Sequence, residues 1–193
     1  MTIVAIWCRH TGDNVIGIGQ NIPWHISSDF KRFRRITEGG IVLAGERTYE
    51  SFPNKTLPNR KIYVLTFNPA YEVSDKENHF VITDADALKN ESKTIYLSGG
   101  ASVYKLFMTG AVELMPDVVV DCVYQGDLNA NLKGQKVDIT PCVDVLKEKY
   151  EQISKDYLED NITTRVLVKK GDFVDQSVIK HILSAIENEG ENK

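Results

Sequence analysis

One carboxylate in this chain keeps unusual company. Asp29 follows Ile22-Pro23-Trp24 and Ile26, and precedes Phe30 and Phe33. Acidic side chains usually remain in water. One set at the start of an apolar helix face needs a cationic or amidine-like partner, or a raised pKa. A carboxylate accepts two parallel hydrogen bonds well. The combination therefore suits a pocket for a flat, nitrogen-rich ring, such as a pterin or aminopyrimidine, that offers a ring N–H beside an exocyclic amine. Phe33, one helical turn on, would lie beside that ring. An isolated Asp after Ser would instead be a solvent-facing acid at a helix start, favoured by the helix dipole. The flanking Pro23-Trp24 and Phe33 tilt the reading toward a pocket. A second feature is Ser98-Gly99-Gly100, a strand end running into a helix. Such a turn lets backbone amides approach a phosphate at a helix N-terminus. It also serves as a simple tight turn, and alone it does not separate the two.

These residues need elements to hold them. Ile3 to Cys8 is short, apolar and β-prone, and a polar turn, His10 to Asn14, follows. Ser27 or Ser28 is placed to cap a helix carrying Asp29, Phe33 and Ile36 on one face, with Gly39-Gly40 ending it. Strands are expected at Ile41 to Ala44, Lys61 to Phe67, His79 to Thr83, Thr94 to Leu97, Asp117 to Tyr124 and Thr163 to Lys169. Short helices are expected at Thr48 to Phe52, Asp84 to Asn90 and from near Ser102. Pro53 to Asn59 and Gly126 to Pro141 read as loops. Val174, Val178, Ile182 and Ile186 recur every four residues, which predicts an amphipathic helix over Asp172 to Glu187. The polar tail from Asn188 to Lys193 is expected to fray. Alternating strands and helices indicate an α/β domain around a mainly parallel sheet.

The bulk numbers narrow the function classes. The 193 residues suit one domain with a real core, and the net charge of −4 gives no general attraction for nucleic acid or membrane surfaces. Lys31-Arg32-Phe33-Arg34-Arg35 is the local exception and reads as the wet side of a helix. No apolar run is long enough to span a bilayer, and Thr2 to Trp7 reads as a strand rather than a signal segment. Cys8, Cys122 and Cys142 are odd in number and far apart, which favours a reducing compartment. The four His residues lack metal-ligand spacing, so no metal is expected.

Five motifs in order resemble the dihydrofolate reductase family. They are Ile3-Val4-Ala5 as the first strand; Val15-Ile16-Gly17, Pro23-Trp24, Asp29 and Phe33 as the active-site loop and helix; Gly45-x-x-Thr48-x-x-Ser51-Phe52; Leu57-Pro58-Asn59-Arg60; and Ser98-Gly99-Gly100-Ala101-x-Val103-Tyr104. The resemblance runs from Ile3 to about Lys169. It implies a dihydrofolate reductase-like α/β fold over residues 1–170, with 171–193 a helical extension packed on or beside it. It implies a cytoplasmic enzyme of one-carbon metabolism, monomer or homodimer, with dihydrofolate as partner. Asp29 and Trp24 would be catalytic. Ile3, Val4, Ala5, Phe30, Phe33 and Phe52 would wall the ring, and Arg60 would bind the carboxylate of the glutamate tail. Ile16, Gly17, Gly45, Arg47, Thr48, Ser98, Gly99, Gly100, Ala101, Ser102, Val103 and Tyr104 would hold the nicotinamide cofactor. A same-fold reductase of another pterin or aminopyrimidine, or a non-catalytic copy of the fold, are the alternatives.

The chain also departs from the family pattern. Asp121 stands where a hydroxyl residue usually partners the acid. Facing Asp29, it would force one of two shared carboxylates to a raised pKa; pointing outward on an alternating strand, it would not. The resemblance implies NADPH, but Glu46 and Phe67 replace a basic and a small hydroxyl residue near the cofactor 2′-phosphate, which disfavours the extra phosphate unless Arg47 or a nearby Lys compensates, so NADH stays open. Ser98 replaces an apolar residue, and the first turn is longer than usual.

Overall fold

The computed structural model describes residues 1–187. From the N-terminus, β1 (Ile3–His10) and β2 (Val15–Ile18) precede α1 (Ser27–Thr37). Then come β3 (Ile41–Gly45), α2 (Glu46–Glu50), β4 (Lys61–Leu65), β5 (His79–Ile82), β6 (Ile95–Leu97), α3 (Ala101–Met108) and β7 (Val118–Tyr124). The chain continues through β8 (Lys136–Asp138), α4 (Thr140–Lys149), β9 (Tyr150–Gln152), β10 (Tyr157–Glu159), β11 (Ile162–Lys169) and α5 (Gln176–Glu187).

Near-continuous apolar runs become strands covered on both faces, as parallel sheets require. The main sheet has the order β10-β11-β7-β1-β6-β3-β4-β5, with β9 also paired to β11. β1 is central and parallel to both β6 and β7, and β3 is parallel to β6 and β4. β11 runs antiparallel to β7 and carries β9 and β10 antiparallel on its other edge. The fold is therefore α/β with a mixed, mainly parallel sheet.

Side-chain alternation sorts the strands between two core layers. Ala5, Trp7, Leu43, Leu97, Val119, Phe107 and Leu146 pack on one face, under α3 and α4. Val4, Ile6, Val118, Val120 and Cys122 pack on the other with Ile36 of α1. α5 completes that second layer. Val178, Ile179, Ile182, Ala185 and Ile186 enter it, and two polar ties fix α5 to α1. Arg35 Nε donates to the Ala185 carbonyl at 2.9 Å, and His181 Nε2 lies 2.9 Å from the Ile36 carbonyl.

Several elements differ from the sequence expectations. The residue before α1 is Ile26, and no side chain caps the helix. The stretch read as a loop from Gly126 to Pro141 contains β8, which pairs with β2, and the start of α4. The Asp84 to Asn90 segment is a 3-10 helix at Ala85–Asn90, capped by the Asp84 side chain. The tail 188–193, expected to fray, lies outside the described residues. No helix among the described residues is long and apolar enough to cross a membrane.

Candidate active site

Parallel α/β sheets place ligands beyond the carboxyl ends of their strands. Here the ends of β1, β3 and β6, the β2 segment and the faces of α1, α2 and α3 enclose a cleft of about 1440 Å³. Asp29, in the first turn of α1, opens onto it with a side chain 19% exposed. Burial pushes its carboxyl above the ordinary value; the Arg32 guanidinium, 3.6 Å away, and the Trp24 indole N–H oppose that rise. Trp24 is buried and packs against Tyr124 with ring centres 4.9 Å apart. Burial also raises two thiols electrostatically coupled to Asp29, Cys8 and Cys122, the latter to about 12. Both line the cleft and are neutral at ordinary pH.

Two glycine turns face the same cleft. β3 ends at Gly45, whose N–H donates to the Gly99 carbonyl at 2.7 Å. Ser98 is held to Leu43, its N–H at 2.9 Å and its hydroxyl at 3.1 Å from that carbonyl. Gly99 has φ +98°, and a Cβ there would lie 2.9 Å from the Tyr104 ring. A side chain is excluded on both counts. Tyr104 is fixed in turn, donating its hydroxyl to the Ile6 carbonyl at 2.6 Å and meeting Trp7 edge-on. Thr48 from α2 sits over Gly100, its hydroxyl oxygen 3.4 Å from where a Cβ would be. Half-buried glycine backbone at Gly45 and Gly100 beside a hydroxyl, at strand ends that lead into helices, suits a dinucleotide pyrophosphate.

At the other end of the cleft Arg60 is buried, its Nη1 donating to Thr37 Oγ1 at 2.9 Å and its Nε to the Pro58 carbonyl at 3.1 Å. Burial lowers its pKa, yet arginine stays charged. Phe30, Phe33 and Phe52 line the same cleft as Arg60 and Asp29. On the rim, Glu46 accepts a hydrogen bond from Thr66, and Phe67 is 92% exposed.

Comparison with known proteins gives the same direction. A sequence model described as "Dihydrofolate reductase" matches residues 2–159. The chain belongs to the dihydrofolate reductase family. A dihydrofolate reductase of Neisseria meningitidis serogroup A is 35% identical over 112 residues, 58% of this chain and 68% of that one. One from Mycoplasma genitalium is 28% identical over 161 residues, covering 80% and 96%. The solved dihydrofolate reductase from Enterococcus faecalis, complexed with NADP(H) and RAB-propyl, superposes with a TM-score of 0.67 at 20% identity, over 88% of this chain and 96% of that one.

Against the expected site, three placements differ. Ile3, Val4 and Ala5 are buried in the core; the wall of the cleft comes from Ile6, Trp7 and Cys8, three residues further along β1. Asp121 faces away from Asp29. It shares the layer of Trp7 and Val119, accepts from Trp7 Nε1 at 2.6 Å, and forms a two-point ion pair with Arg9 at 2.8 and 2.9 Å. Its neighbour Cys122 takes the cleft position, because a one-residue shift on a strand reverses the face. Gly99 also lies behind the cleft surface, packed on Tyr104, while Ser98, Gly100, Ala101, Ser102, Val103 and Tyr104 line it with Ile16, Gly17, Gly45, Arg47 and Thr48.

Sequence reasoning missed Arg32, Cys8 and Cys122. The basic run reads as the wet face of α1, but Arg32 is 1% exposed and lies between Asp29 and Glu159. Its spacing of three from Asp29 was the available signal.

Proposed function

We propose that this protein reduces 7,8-dihydrofolate to 5,6,7,8-tetrahydrofolate. The observation that carries this reading is the placement of a desolvated Asp29 in one cleft with the glycine turns at Gly45 and Ser98-Gly99-Gly100. NADPH, when bound along those turns, supplies a hydride to C6 of the substrate; N5 takes a proton, which balances the reduction. Asp29 accepts two N–H bonds from the pterin edge and favours protonation at N5 through water that Trp24 helps to fix. Ile6, Trp7, Cys8, Phe33 and Phe52 exclude bulk solvent, which strengthens the Asp29 interaction. Arg60, already oriented by Thr37 and Pro58, takes the carboxylate of the glutamate tail.

NADPH fits the backbone cradle, and Arg47 lies exposed at its edge. Glu46 and Phe67 offer nothing to a 2′-phosphate, so NADH is also expected to serve. The reading includes a cytoplasmic location, small-molecule partners and a monomer or homodimer. Steady-state assays with dihydrofolate and each cofactor test it. Turnover is expected with wild type, and D29N is expected to lose at least about 10²-fold while remaining folded. Near-normal turnover by D29N would remove Asp29 from the mechanism.

A further inference from the structure

Arg32 is the bulkiest of the fully buried side chains in the described structure, yet it is charged. Its Nη1 lies 3.6 Å from Asp29 Oδ1 and its Nη2 lies 3.2 Å from Glu159 Oε2 on β10. Burying a guanidinium is costly, and an apolar side chain of similar volume often packs as well or better. A charge retained there needs a use. The groups facing Asp29 define one. Cys8 of β1, Cys122 of β7 and Tyr104 of α3 line the cleft with it, and burial keeps all three neutral at ordinary pH. Asp121 lies on the opposite face of β7 and is matched by Arg9. Among the described residues Arg32 is the cation paired with Asp29, and Glu159 shares it.

We propose that Arg32, clamped between Asp29 and Glu159, is a positioning residue that keeps the Asp29 carboxylate charged in its desolvated setting and so sets the pH range over which the cleft holds its substrate ring. The naming of that ring rests on the dihydrofolate reductase reading; the electrostatic relation does not. The sign follows from the charges. Burial raises the Asp29 pKa and Arg32 restrains the rise. Replacing Arg32 by a neutral residue raises it further, so the acceptor for the ring edge is lost at a higher pH on acidification. Removing the Glu159 charge takes a like charge away from Asp29 and a competitor away from Arg32, and lowers it.

The test is the titration of the Asp29 carboxyl by 13C NMR in the ligand-free protein, its signal assigned by its loss in D29N. R32M is expected to titrate about one pH unit or more above wild type. R32K is expected to restore most of that difference, and E159Q to titrate below wild type. The rise in KM for dihydrofolate on acidification should shift in the same order, with kcat at neutral pH changed less. An unchanged Asp29 titration in R32M overturns the proposal. Should R32M not fold, an unchanged or raised titration in E159Q, whose site is partly exposed, overturns it instead. Because the NMR titration needs no substrate, a wild type that titrates as described but does not reduce dihydrofolate overturns the functional reading and leaves this one standing.

Discussion

At Asp29 two opposing effects meet, and neighbouring residues decide between them. Burial favours the neutral acid, while Arg32 and Trp24 favour the anion. Asp121 takes no part, because its carboxylate is held by Arg9 and Trp7 on the far side of β7. D121N should therefore leave the Asp29 titration in place. It should destabilise the fold by about 3 kcal/mol, since it leaves Arg9 largely buried without its counter-charge. Urea unfolding beside the NMR titration checks both halves; a moved titration would put Asp121 back in the site. Gly99 gives a second residue-scale expectation. G99A must place a Cβ at φ +98° against Tyr104, a strain of about 1–3 kcal/mol. If the turn carries that strain, the Kd for NADPH should rise about tenfold, measured by fluorescence titration.

At the scale of elements, the segment before the active-site helix is held by polar ties rather than by a large apolar face. β2 is short and pairs with β8. Asn14, at φ +55°, accepts from Arg9 Nη1 at 2.8 Å. Asp13 lies 2.7 Å from both His10 Nδ1 and Lys136 Nζ. Against some burial, Lys136, His10 and the Val15 amide hold the Asp13 carboxyl to about 2, below its ordinary 3.8. A lowered folded-state pKa stabilises above the unfolded value, and the contribution is lost as pH falls from about 3.8 through about 2. The Tm difference between wild type and D13N should be full at pH 5 and shrink toward zero near pH 2. A difference independent of pH would mean that Asp13 acts through packing or turn geometry rather than charge.

For the whole molecule, α5 belongs to the core rather than to its edge. Ile182 is fully buried in the layer that also holds Val118, Val120 and Ile36, directly behind the helix that presents Asp29. I182A is expected to cost about 2–5 kcal/mol in urea unfolding, with KM little changed, since Ile182 does not line the cleft. A negligible loss of stability would make α5 an appendage in energetic terms.

Local pattern fixed much of this protein. Apolar runs at Ile41 to Ala44 and Lys61 to Leu65 form strands wherever both faces are covered. Gly39 ends α1, and period-four apolar residues make α5 amphipathic whatever it packs on. The pairing of Asp29 with two glycine turns was also legible, because motif order and spacing survive without coordinates. β8 and α4 were not. Pro141 marks a break in most settings but is tolerated in the first turn of a helix, and β8 is a strand only because β2 pairs with it. The remaining decisions belong to tertiary structure. A strand's sequence shows alternation but not which face meets the cleft, so only the register of β7 against β1 could give the site Cys122 and the core Asp121. A basic run shows charge but not burial, so only the packing of α1 against β10 could bring Arg32 between Asp29 and Glu159.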